Sequence, residues 1–379
     1  MLEYIFFPLL IIVSFLTVAT GSRLAVAMRR FRIQRQITAA IDPSTVSVCI
    51  PVRNEMRVMT ECLERVLASD YPKIEIIVFD DGSTDDTSVL VRSFAHVGVR
   101  FVPGRELPDG WLGKNHALSI LASEASGSKL LFLDVDTHIG VTTISQLVGY
   151  MTTEQLDMVS VLPIRRDGWS PSVWFGYMRY YWELIIAGRS MPATSSGLWM
   201  IDREVLAQHG GFAAYAADVR PEQRLAEQIG TSKYHCLLGT SQLGVAEYKP
   251  WRSQREAARR LYYPIVGGRP FAGLAGVVML LLLNVPLLTI IVGSIAQRSD
   301  IVMWAELLII IHMALYAVYT RRMWQCGWWF GALLVPALFV QELWLLTLSL
   351  TGYATHTVTW KGRSVTAPSM KTDYLSIDK

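Results

Sequence analysis

Leu130-Leu131-Phe132-Leu133-Asp134-Val135-Asp136 decides the reading of this chain: four apolar residues run straight into two carboxylates set one residue apart. The apolar run reads as a buried strand, whose alternation puts Asp134 at the strand tip and Asp136 on the turn beyond it. Hard oxygen ligands on a rigid support are what a divalent cation needs when it also holds a diphosphate. A bare D-x-D is common by chance, with N-capping or a solvated turn as the bland reading. The flanking sequence has to decide.

Upstream, apolar runs at 46–51, 74–79 and 99–102 are each followed by a helical period, at 56–68, 87–94 and about 114–122. In the first helix Met59, Leu63, Val66 and Leu67 share one face. Strands alternating with helices predict an α/β fold with a mostly parallel sheet. Ligands of such sheets bind beyond the carboxyl ends of the strands. The polar residues at those ends fall on one rim: Arg53, Asn54 and Glu55, then Asp80 and Asp81, then Asp134 and Asp136.

In the loop Asp80 to Asp86, Gly82 permits a tight turn, and Asp85 and Asp86 read as caps of the following helix. Asp80 and Asp81 repel one another unless a ligand uses them, and ribose hydroxyls or a base N–H are suitable donors. Between Pro108 and His116, Lys114 opens a helix, where it can meet a diphosphate; an ordinary surface lysine is the alternative. His116 reads as a packed or capping residue. Neither G-x-G-x-x-G nor G-x-x-x-x-G-K-[ST] occurs, so a dinucleotide fold and a P-loop are unsupported.

At 51% hydrophobic and 18% charged residues, with mean hydropathy +0.31, the 379-residue chain is too apolar for an ordinary soluble enzyme. Residues 4–22 carry no charge, and Arg23, Arg29, Arg30, Arg32 and Arg35 follow, which predicts an uncleaved anchor with a cytoplasmic basic flank. Residues 271–297, 301–320 and 328–350 are three more segments of spanning length. Arg321 and Arg322 favour the cytoplasmic side. Lys361, Arg363, Lys371 and Lys379 favour a cytoplasmic tail, yet three crossings leave the tail outside. Either the last segment, with Gln341 and Glu342 at its middle, is re-entrant or interfacial, or the charge rule fails. The net charge of +3 gives no footprint for nucleic acid. Cys49, Cys62, Cys236 and Cys326 have no metal-ligand spacing and read as isolated thiols.

The order strand-N-E, D-D-G-S-T-D-D-T, G-W-x-G-K and D-x-D from Val46 to His138 resembles the nucleotide-binding half of a family 2 GT-A glycosyltransferase. The apolar ends and Gly110-Trp111-Leu112-Gly113-Lys114 resemble the branch that glycosylates lipids, including hopene-associated, carotenoid-acid and ceramide glycosyltransferases. Trp360-Lys361-Gly362-Arg363 is similar to the post-membrane segment of those relatives. The resemblance implies a GT-A sheet flanked by helices, with transmembrane helices at both ends. It divides the chain into an anchor (1–25), a cytoplasmic catalytic domain (40–250), an interfacial segment (251–270), transmembrane helices (271–350) and a tail (351–379). It implies that Pro51, Asn54, Glu55, Asp80, Asp81 and Trp111 hold the nucleotide sugar, taken as a UDP-sugar, and that Lys114 meets its diphosphate. Asp134 and Asp136 would hold Mg²⁺ or Mn²⁺.

The family's acidic pair on the acceptor side is replaced here by Pro221-Glu222, so Glu222 is the expected base, with Asp218 competing. The expected partners are the nucleotide sugar, a membrane lipid acceptor and the bilayer, in a multi-pass protein of the cell membrane without an obligate protein partner. A polyprenyl-phosphate sugar synthase and an inactive membrane scaffold of the same fold stand as alternatives. A nucleotidyltransferase would release pyrophosphate instead, and a transporter lacks its paired repeats.

Overall fold

The computed structural model describes residues 2–33, 44–188 and 191–365; Arg35, Lys371 and Lys379, invoked in the charge argument, lie outside the described residues. The chain divides into a helical unit (Met1–Ile33, Arg165–Ile186, Lys249–Val358) and a sheet unit (Gln34–Ile164, Ala187–Tyr248, Thr359–Lys379). Residues 165–186, inside the stretch 40–250, thus pack with the helical unit.

The strands are β1 (Val46–Val52), β2 (Ile74–Asp80), β3 (Val99–Pro103), β4 (Lys129–Leu133), β5 (Thr137–His138), β6 (Met158–Leu162), β7 (Ile164–Arg165), β8 (Leu198–Asp202), β9 (Tyr234–Leu238), β10 (Ala246–Glu247), β11 (Thr359–Trp360) and β12 (Arg363–Ser364). Seven form one sheet in the order β3-β2-β1-β4-β8-β6-β9; β5-β10-β7 form a second, and β11-β12 a hairpin. β1 runs parallel to β2 and β4, β2 to β3, and β6 to β9, while β8 is antiparallel to both β4 and β6. The expected mostly parallel α/β sheet is therefore present, with one reversed strand inserted beside β4.

Alternation decides which side chains meet. Val46, Val48, Ile50, Val78, Leu131, Leu133, Val159 and Met200 pack into one core, with Met59, Leu63 and Val66 of helix Met56–Leu67 against them. Their neighbours Cys49, Ile77, Phe79, Leu130, Phe132, Met158, Trp199 and Ile201 form the core on the opposite face, covered by Ala117, Leu118 and Leu121 of helix Gly113–Glu124. Both faces are buried, which is why the strands read as continuous apolar runs. The register sets Val52 level with Asp80 and Asp80 level with Pro103, so these strands end on one rim. β4 stops at Leu133, leaving Asp134 just past the strand and Asp136 on the turn.

In the helical unit, four helices among the described residues are long and apolar enough to cross a membrane: Tyr4–Arg30, Pro270–Ile295, Ser299–Met323 and Val335–Ala354. Phe6, Leu10 and Val13 pack against Ile301, Ala305 and Leu308. The expected span 328–350 is not continuous. It divides into helix Trp328–Leu333 and helix Val335–Ala354, with Pro336 in the first turn of the second, where its missing N–H costs nothing. Glu342, at the middle of that second helix, is fully buried and accepts hydrogen bonds from the Met178 N–H (3.1 Å), Trp182 Nε1 (2.7 Å) and the Tyr262 hydroxyl.

Trp199 of β8 is 1% exposed, stacked on Phe132 at 4.4 Å between centroids and edge-on to Phe212 at 6.1 Å. Trp199→Ala is expected to cost about 3–5 kcal/mol, read as a clear fall in Tm of the detergent-purified protein.

Candidate functional site

The rim is assembled by side chains that tie one strand-end loop to the next. Asn54, which follows β1 with φ +54°, accepts at Oδ1 from the Thr84 N–H (2.7 Å) and donates its own N–H to Ser83 Oγ (2.9 Å). Asn tolerates that left-handed backbone better than most residues. Asp85 receives the N–H and hydroxyl of Thr87 (3.1 and 2.5 Å), while the Glu55 N–H donates to Thr87 Oγ1 (2.9 Å). Asp86 holds the cap position without the expected side-chain cap bond; Asp85, one residue earlier, takes the Thr87 N–H instead, and Thr87 joins that loop to Glu55. Gly104 closes the far side: a Cβ there would stand 2.6 Å from the Asp80 carbonyl oxygen.

The adjacent carboxylates Asp80 and Asp81 take different roles. Asp80 accepts from the Ser83 N–H (2.9 Å), Ser83 Oγ (2.5 Å) and Ser88 Oγ, so its lone pairs shape its own loop. Asp81 is 2% exposed and neither oxygen accepts a hydrogen bond among the described residues. Arg363 lies 3.0 Å from its Oδ1 and Arg53 4.0 Å from its Oδ2. Burial pushes the Asp81 carboxyl above its ordinary value; Arg363 and Arg53 pull it back and Asp80 pushes it further up.

Lys114 Nζ sits 2.7 Å from Asp134 Oδ1. Asp134 is fixed by its N–H to the Gly197 carbonyl (2.9 Å), and its own carbonyl receives the Thr137 N–H (2.9 Å), which closes the turn that carries Asp136. Glu55 belongs to the same field: burial raises its carboxyl, Lys361 in direct contact lowers it, and Asp136 and Asp134 raise it. No group of three or more His, Cys, Asp or Glu side chains with metal-holding geometry occurs among the described residues. Asp134 and Asp136 are the two carboxylates that would offer oxygen ligands to a cation here, with further ligands from phosphate and water. An all-oxygen pair that already draws an ammonium to one oxygen fits a hard divalent cation.

Pro51 lies in β1 opposite Phe79, and Trp111 packs edge-on to His116 at 5.9 Å between ring centroids. His116 is buried as expected of a packed residue, and burial, with Arg363 and Arg105, lowers its pKa.

On the acceptor side, Glu222 is 3% exposed in the first turn of helix Pro221–Ile229, with Oε1 unpartnered. Asp218 is half-buried with Arg224 3.9 Å away; burial raises its carboxyl, Arg224 lowers it and Glu227 raises it. Sequence reasoning missed the link between the two halves. Asn115 Nδ2 points at the carbonyls of Tyr215 (2.7 Å), Ala216 (3.1 Å) and Asp218 (2.7 Å), holding the loop before Glu222 against the helix that carries Lys114. It also missed the contacts of Lys361 and Arg363, whose separations of 308 and 282 residues from their partners leave no local signal.

Comparison with known proteins agrees with the fold. The profile "Glycosyl transferase family 2" matches residues 47–219. The 4,4'-diaponeurosporenoate glycosyltransferase of Staphylococcus aureus strain bovine RF122 / ET3-1 is 28% identical over 154 residues, covering 39% of this chain. The chain spans 40% of the length of that relative. Among solved structures, the mannosyltransferase PcManGT from Pyrobaculum calidifontis, determined in complex with GDP-Man and Mn²⁺, shares the fold. Its TM-score is 0.55 at 20% identity, covering 92% of this chain and 98% of that one.

The Asp81 environment has a sign that can be measured. With its folded-state pKa above the unfolded value of about 3.9, the native state binds the extra proton between the two, so stability falls as pH rises through the raised value. Asp81→Asn is expected to raise Tm at neutral pH, the gain shrinking as pH falls toward about 4. A Tm that drops at neutral pH would show that the arginines outweigh burial.

Proposed function

With residues 47–219 forming a family 2 glycosyltransferase domain, we propose that the protein moves a sugar from a nucleotide diphosphate sugar, taken as a UDP-sugar, to the hydroxyl of a membrane lipid. The observation that carries this reading is the Lys114–Asp134 contact at 2.7 Å, on a rim shared with Glu55 and Asp136. Cation and carboxylates stand together where a leaving diphosphate would need both.

The transfer is a single inverting displacement. The acceptor oxygen bonds to the anomeric carbon, the bond from that carbon to the diphosphate oxygen breaks, and the hydroxyl proton passes to a carboxylate. Glu222 is the proposed base because its Oε1 is buried without a partner, a lone pair kept for a proton from outside. Lys114 stabilises the charge that builds on the leaving oxygen. Asn115 fixes the distance between these two ends. Mg²⁺ or Mn²⁺ would be held by Asp134 and Asp136 and would supply further charge stabilisation to the diphosphate. Asn54, Glu55, Asp81 and the loop shaped by Asp80 receive the nucleoside, beside Pro51 and Trp111.

Four apolar helices support a membrane setting, and the relative's name specifies a diaponeurosporenoate acceptor. For topology, the proposed reading is that the tail lies on the same, cytoplasmic side as the catalytic residues. Hairpin residues Lys361 and Arg363 bond to Glu55, Arg53 and Asp81 within one unit. An even number of crossings must then separate residue 248 from residue 359. Helix Val335–Ala354 is the one assigned to the interface. Its Ser349 and Tyr353 hydroxyls bond the Arg259 and Arg260 carbonyls of helix Trp251–Ile265, which carries the arginines of an interfacial segment.

The test is detergent-purified protein with a panel of nucleotide sugars and Mn²⁺ or Mg²⁺. Thermal stabilisation by one of them is expected, with Asp136→Ala removing its metal-dependent part. Glu222→Gln should retain donor binding and lose transfer at least about 100-fold. An active Glu222→Gln beside an inactive Asp218→Asn would transfer the base role to Asp218, and an acid-labile sugar phosphate as product would favour a polyprenyl-phosphate acceptor.

A further inference from the structure

A group of buried polar atoms on the rim lacks hydrogen-bond partners among the described residues. Both carboxylate oxygens of Asp81, Nη1 of Arg363 and Nδ1 of His116 make no hydrogen bond among the described residues. Arg363 Nη2 is 3.0 Å from Asp81 Oδ1, close enough for an ion pair yet not aligned for a hydrogen bond; it reaches the Asp81 main-chain oxygen at 3.5 Å instead. The charges are balanced while the lone pairs and one N–H stay open. Buried groups of this kind are normally satisfied, so a cluster of them points to a ligand.

Space is kept beside them. A Cβ on Gly113 would stand 3.3 Å from Asp81 Oδ2, 3.3 Å from Arg363 Cδ and 3.5 Å from Arg363 Nη1. Any side chain at that position would press on both groups at once.

Arg363 is held in place by its hairpin. Lys361 (φ +48°) and Gly362 (φ +81°) form its two-residue turn, and Trp360 pairs with Arg363. Lys361 Nζ donates to the Arg53 carbonyl at 2.7 Å and pairs with Glu55, while Arg53 Nε donates back to the Lys361 carbonyl at 3.2 Å. The hairpin is thereby stitched to the loop after β1, and Lys361 acts as a positioning residue for Arg363.

We infer that Arg363 is a nucleoside-recognition residue: with Asp81 it forms a donor–acceptor pair for the edge of a base that carries an N–H beside a carbonyl, as uracil and guanine do. Asp81 accepts the base N–H and Arg363 Nη1 donates to the carbonyl oxygen. The inference rests on the donor-site reading above and adds a recognition residue from beyond the last apolar helix.

Calorimetric titration of the full chain in detergent, with UMP, GMP and their diphosphates, tests it. For the nucleotide that the wild type binds, Arg363→Gln is expected to weaken the monophosphate and the diphosphate by the same factor, about tenfold or more. Arg363→Lys should recover little, because an ammonium lacks the planar fork. An N3-methyl uridine or N1-methyl guanosine monophosphate should bind the wild type at least about tenfold more weakly than its parent, a measurement that needs no variant to fold. Unchanged affinities in Arg363→Gln, or a loss confined to the diphosphate, would overturn the assignment while leaving the donor reading intact. A wild type that binds none of the four nucleotides would overturn both.

Discussion

A carboxylate almost wholly removed from water, with no hydrogen bond to either oxygen, is the constraint round which the rim is built. Asp81 is unfavourable where it stands, and two arginines from distant parts of the chain moderate that cost without ending it. The neighbouring loops are shaped accordingly. Asp80 and Asp85 spend their oxygens on backbone and hydroxyl donors, which fixes the turn after β2 and leaves Asp81 as the open acceptor of that loop. Buried carboxylates whose ionisation is disfavoured cluster at functional sites.

Much of this was legible in the sequence because the relevant signals are local. Each strand's alternation, each following helix and the carboxylates at the strand ends lie within a few residues of one another, and the resulting sheet ends on one rim as expected. The reversed strand β8 escaped notice: Leu198–Asp202 is a short apolar run whose direction depends on partners β4 and β6, which no local pattern encodes. The break at Leu334 was hidden for a related reason. Hydropathy alone does not separate one long apolar helix from two short ones.

The site divides along the same line. Glu55, Asp81, Lys114, Asp134 and Asp136 were readable from motif and position, and the structure brings Lys114 onto Asp134 and Glu55 into the field of both aspartates. Asn115 has no part in the sequence reading, because its partners are main-chain carbonyls a hundred residues away. Arg363 and Lys361 were noted for charge and likeness alone. Glu342 is a parallel case in the helical unit, where a charged residue in an apolar helix is accommodated by three donors drawn from two other segments.

The hairpin at 359–364 also bears on how the protein is made. Translation delivers β1, β2 and β4 early, so the sheet has these strands well before the three later apolar helices leave the ribosome. Lys361 and Arg363, which face Glu55 and Asp81, arrive only after helix Val335–Ala354 has been synthesised. A chain truncated before residue 359 would keep Arg53 and Lys114 on the rim but lack the two later cations, leaving Glu55 without its lysine and Asp81 with one arginine in place of two.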